Sequence, residues 1–71
     1  MKPEKRSITI AGHATSVSLE PAFWDALKQM AAERDQSVPD LIRTLDADSR
    51  EASLSSTLRV AILAWAMQSK D

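Results

Sequence analysis

Residues 5–24 read KRSITIAGHATSVSLEPAFW, and the fold turns on how that stretch is divided. Ser7-Ile8-Thr9-Ile10 and Ser16-Val17-Ser18-Leu19 each alternate polar and apolar side chains, the period of a strand with one buried face. The apolar residues are even-numbered before Gly12 and odd-numbered after it. One straight strand would therefore send Ile8 and Ile10 to the face opposite Val17 and Leu19. A hairpin with Gly12-His13 as its loop removes the conflict. Ile10 then faces Thr15, Ile8 faces Val17 and Arg6 faces Leu19 on one side, with Lys5, Ser7, Thr9, Ser16 and Ser18 on the other. Glycine at the first loop position suits a type II′ turn. A long strand with a bulge at the only glycine is the alternative. The reading predicts a β-ribbon or hairpin over residues 5–19, preceded by a flexible arm at 1–4.

Helices follow. Pro21 suits a first helical turn, and Glu20 and Asp25 suit its positive end. Phe23, Trp24, Leu27, Met30 and Ala31 recur at helical spacing, with Asp25, Lys28, Gln29 and Glu33 on the other side. This predicts a helix over 21–35. Ser37-Val38-Pro39-Asp40 reads as the capped start of a second helix over 37–50, with Val38, Leu41, Ile42 and Leu45 as its apolar stripe. The polar run from Asp46 to Ser53 interrupts it. Ser53 or Ser55 can cap a third helix over 54–69. That helix carries two stripes: Leu58, Ala61, Ile62 and Trp65 form one, and Val60, Leu63, Ala64 and Met67 the other. A helix apolar nearly all round needs cover on two sides, and a partner chain is the simplest cover.

Composition narrows the function classes. The chain has 71 residues, and a lone chain of this size hides only about 60% of its unfolded surface. With no cysteine and one histidine it has no disulfide, no thiolate metal site and no multi-histidine zinc site, so self-association is the expected supplement. No metal or cofactor is expected, and no enzyme activity. There is no glycine-rich phosphate loop, no serine has a plausible neighbouring base, and the chain has no room for a pocket of about 300 Å³. Asp46, Asp48 and Glu51 lack the glycine turn of a calcium loop. Arg59, the only charge between Glu51 and Lys70, is expected to cap a helix or pair with one of those three acids in preference to contacting a phosphate. The longest apolar run, Val60 to Met67, is far short of the ~20 residues needed to span a bilayer, and the N-terminus does not read as a leader. A soluble, cytoplasmic protein without membrane contact is expected. The net charge of −1 confines any nucleic-acid role to a local patch, and the basic end is residues 1–10, with Lys2, Lys5 and Arg6 against Glu4.

The order strand, helix, Ser-capped helix resembles the ribbon-helix-helix superfamily of bacterial DNA-binding proteins, the Arc/MetJ type. The resemblance is carried by Thr15 to Pro21, the helix Ala22 to Arg34, and Ser37-Val38-Pro39-Asp40-Leu41-Ile42. Residues 5–13, Phe23-Trp24 and Leu54-Ser55-Ser56-Thr57-Leu58-Arg59-Val60 are similar to one bacterial branch of it. It implies a mainly α fold with a short β-ribbon: a ribbon-helix-helix domain over residues 1–71, here with a hairpin and an extra C-terminal helix. It also implies a homodimer whose paired strands enter the major groove of double-stranded DNA.

Carried over by position, Thr15, Val17 and Leu19 face the core and Ala14, Ser16 and Ser18 face the bases. Ser37 and Val38 lie at a phosphate, which Lys5 and Arg6 can supplement. The implied dimer core is Val17, Leu19, Trp24, Leu27, Leu41, Ile42, Leu58, Ile62 and Trp65. Ribbon readers usually present Arg, Lys, Gln or Asn, whereas serine makes single, permissive bonds. The function implied is a homodimeric transcriptional regulator. The alternatives are a protein–protein adaptor, or an antitoxin-like module whose third helix grips a protein partner.

Overall fold

The computed structural model describes residues 2–10, 12–47 and 53–68. Strands β1 (Glu4–Ile10) and β2 (His13–Leu19) form an antiparallel hairpin, followed by helices α1 (Pro21–Glu33), α2 (Val38–Ala47) and α3 (Leu54–Gln68). The hairpin is as expected, but its turn sits one residue earlier. Ile10 pairs with His13, Ile8 with Thr15 and Arg6 with Val17, so the strands meet at Ile10 and His13. Gly12 takes the second loop position with φ +81°, a conformation open to glycine at no steric cost. Each pair differs from the expected one by two residues. An even shift leaves every side chain on its own face, so the sorting of apolar from polar residues is unchanged. β1 also starts at Glu4, inside the stretch expected as an arm.

α1 begins at a proline without a side-chain cap, whereas α2 and α3 each begin at a serine cap. Glu20 is the N-cap of α1, whose first position is Pro21. The Ser37 hydroxyl accepts the Asp40 N–H at 3.2 Å at the start of α2, and Ser53, not Ser55, accepts the Ser56 N–H at 3.1 Å at the start of α3. α1 stops two residues before its expected end. Asp35 adopts φ 58°, and the Gln36 N–H turns back to the Ala31 carbonyl at 2.9 Å, the closing bond of a Schellman motif. The expected tails of the second and third helices, residues 48–50 and 69, lie outside the described residues.

The core lies between the inner face of the hairpin and the three helices. Val17, Leu19, Trp24, Leu27, Met30, Ala31, Leu41, Ile42, Leu58 and Ile62 are buried, with Ile8, Ile10, Phe23, Val38 and Trp65 half-buried against them. The residues implied as a dimer core thus bury one another within one copy, except Trp65, which is half-buried and donates its indole N–H to the Glu33 carboxylate at 3.0 Å. Thr57 is also buried, and its hydroxyl bonds back to the Ser53 carbonyl at 3.0 Å. The two stripes of α3 have different fates. Leu58 and Ile62 enter the core, whereas Val60, Leu63 and Met67 are 53%, 59% and 68% exposed and are, among the described residues, the large hydrophobic residues left outside.

Candidate nucleic-acid interface

The outer face of the hairpin is built from alternate residues of both strands. Lys5 stands opposite Ser18, Ser7 opposite Ser16, and Thr9 opposite Ala14. The pleat sends all six side chains away from the helices, and all are exposed apart from the half-buried Ser18. The face is small and polar, with Lys5 as its cation. Hydroxyls there can donate to or accept from a base edge, but none offers a two-pronged bond.

Arg6 lies on the other face. Its pairing with Val17 turns it inward, where its guanidinium binds the Glu4 carboxylate and stacks 4.8 Å from the centre of the Trp24 ring. The Trp24 indole N–H in turn donates to the Glu4 carbonyl at 2.9 Å. Together these contacts tie the first residues of β1 to α1. Of the two cations expected at phosphates, Lys5 is on the outer face and Arg6 is engaged internally.

One edge of the ribbon has no strand beside it among the described residues. A two-residue turn makes Ile10 and His13 a hydrogen-bonded pair, and antiparallel pairs alternate, so the backbone groups of Ala14, Ser16 and Ser18 point outward from β2. At one end of this edge the Ser55 hydroxyl of α3 donates to the Ser18 carbonyl at 3.1 Å. The carbonyl retains a second lone pair.

At the start of α2, Pro39 has no N–H and the Asp40 N–H is taken by Ser37, which leaves Val38 as the N–H donor of that turn. The Asp40 carboxylate sits on the same turn, 3.9 Å from Arg43, where it opposes an approaching phosphate. Ser37 and Val38 are adjacent there, as the sequence placed them, and Ser37 is exposed.

Arg59 does not pair with Asp46; the other two acids expected for it, Asp48 and Glu51, lie outside the described residues. It binds Glu20 Oε1 with both Nη2, at 2.9 Å, and Nε, at 3.2 Å, and its guanidinium carbon lies 5.8 Å from the Phe23 ring centre. Sequence spacing missed this because the partner depends on how α3 lies across α1. A hydrogen bond from its own backbone, and then Arg59, hold the Glu20 carboxyl below the usual carboxylate range. The expectation that the chain has no room for a pocket of about 300 Å³ is also corrected. An open cleft of about 300 Å³ is lined by Ile10, His13, Thr15, Asp46 and Leu54. Its lining comes from both strands of the hairpin, the last turn of α2 and the start of α3. No hydrogen bond joins His13, Thr15 and Asp46 among the described residues. Among those residues no helix is long and apolar enough to cross a membrane.

A family model described as a ribbon-helix-helix domain matches residues 3–66. Among solved structures, an uncharacterized protein from Bordetella pertussis Tohama I is 36% identical with a TM-score of 0.76. The match covers 92% of this chain and 56% of that one, so the chain spans little more than half the length of its structural relative. Comparison with curated proteins gives no match.

Proposed function

The chain belongs to the ribbon-helix-helix family, and from that premise we propose that two copies join their β2 edges and bind double-stranded DNA as a small transcriptional regulator. Members of this family typically dimerise and bind DNA. The observation that carries the reading is the coincidence of two features on one strand: among the described residues no strand pairs with the outer edge of β2, and its outward Ala14 and Ser16 are exposed, with Ser18 half-buried beside them. A two-fold axis at Ser16 would set Ala14 against Ser18 of the second copy and give a four-stranded ribbon, since an isologous contact needs the same patch twice. Ser16 and Ser18 would touch bases, with Lys5 and the Val38 N–H at phosphates.

The composition of the face sets the character of binding. Serine and alanine supply little discrimination between base pairs, whereas the lysines act on phosphates irrespective of sequence. Binding is therefore modestly specific and falls steeply with salt. A titration of mixed-sequence duplex DNA at several salt concentrations tests this. The expected result is retardation at low salt with a linear log–log decline. Absence of binding at the lowest salt would favour the second reading, an adaptor or antitoxin-like module that keeps the fold without reading DNA. The specific feature on the side of that reading is a groove face without Arg, Asn or Gln.

A further inference from the structure

We infer that the exposed face of α3, made by Val60, Leu63 and Met67, is covered by a second copy of this chain, and that this contact completes the dimer that the ribbon begins. The inference rests on the proposed pairing of β2 edges. Three observations carry it.

The first is area. A stable specific interface takes about 800 Å² from each partner, roughly a sixth of this chain's 4900 Å² surface. A single strand edge is too narrow to supply that. Its outward groups are Ala14, Ser16 and Ser18, which offer hydrogen bonds and almost no apolar burial. Apolar area has to come from elsewhere, and among the described residues the large exposed hydrophobics are Val60, Leu63 and Met67, all on α3.

The second is position. Ser55, in the first turn of α3, bonds to the Ser18 carbonyl on the unpaired edge of β2. The helix therefore starts beside the edge along which a second copy would pair, so a copy paired on that edge lies next to the first turn of α3.

The third is charge. From Leu54 to Gln68 the only charged residue is Arg59, and Glu20 neutralises it. The outward side of α3 holds no cation to seek DNA and no acid to seek a basic partner. Val60, Leu63 and Met67 recur three and four residues apart, the spacing with which one helix packs on another. An uncharged apolar stripe of this kind suits an identical stripe, where like charges across a two-fold axis would repel.

Sedimentation equilibrium of the full chain tests the inference with three variants. Leu63→Glu and Met67→Lys each place a charge on the α3 face, at positions already exposed in one copy. Ser16→Pro removes an outward N–H from β2 without taking a bond from the hairpin. Far-UV circular dichroism checks that each variant folds, and the two α3 variants stand in for each other if one does not.

The expected result is a wild-type dimer that either α3 variant weakens about tenfold or more, with Ser16→Pro also weakening it. A wild-type dimer broken by Ser16→Pro but unchanged by both α3 variants overturns the inference and leaves the ribbon pairing standing; the face then belongs to a different protein. A wild-type chain that stays monomeric at high concentration overturns both.

Discussion

Asp35 holds the single positive φ among the described non-glycine residues, 58°, where it ends α1. That position favours glycine, because a Cβ crowds the neighbouring carbonyl in the left-handed region. Asp35→Gly is expected to raise stability by about 0.5–1 kcal/mol in chemical denaturation; a decrease would mean that the aspartate side chain stabilises the turn. Glu20 gives a pH-dependent counterpart. Its carboxyl is held below the usual range when folded, so its contribution is present above the unfolded pKa and is lost as pH falls through the folded one. Arg59→Ala should therefore flatten the acid side of a stability–pH curve and leave the neutral side nearly level; an unchanged acid limb would show that Glu20's own backbone bond alone sets the shift. In the core, Leu27 is fully buried, so Leu27→Ala should cost about 2–5 kcal/mol. Trp65→Ala should cost less than Leu27→Ala, because the indole is half-exposed and its bond to Glu33 lies at the surface. Equal costs would place Trp65 in a buried contact that one copy alone does not provide.

The ribbon separates two neighbouring cations that look alike in sequence. Lys5 faces outward, whereas Arg6 is held by Glu4 and Trp24. Lys5→Ala should lower the salt slope of DNA binding by about one for each phosphate that the lysine neutralises. Arg6→Ala should leave the slope alone and reduce thermal stability by freeing the start of β1. The reverse pattern would put Arg6 at the DNA and detach it from Trp24.

These two residues also mark what the sequence could reveal about the ribbon. The change of parity at Gly12 exposed the hairpin and sorted its faces, because alternation is a local property of a strand. The register was not legible, since a two-residue shift changes no face. Nor was Arg6's engagement, which depends on Trp24, far along the chain, turning under β1. α3 followed the same division. Its two apolar stripes were plain in the periodicity, yet which one enters the core was decided by packing against α1 and α2. The same packing took Arg59 to Glu20, thirty-nine residues away in sequence.

At the scale of the whole molecule, one copy satisfies most of its own needs. Among the described residues it buries ten hydrophobic ones, including Leu19, Leu27, Leu41 and Leu58, and still leaves a strand edge and a helix face uncovered. The net charge of −1 adds no long-range attraction to DNA, so the proposed regulator depends on doubling a weak face: two copies bring two Lys5 side chains and two sets of Ser16 and Ser18 to one groove. The central claim is thus the pairing of β2 with its symmetry mate. An equimolar mixture of isotope-labelled and unlabelled chains, examined by isotope-filtered nuclear Overhauser NMR, measures it directly. The account predicts inter-chain contacts within residues 14–18, centred on Ser16. A self-associated protein with no inter-chain contact in that strand, or a chain that remains monomeric, would contradict it.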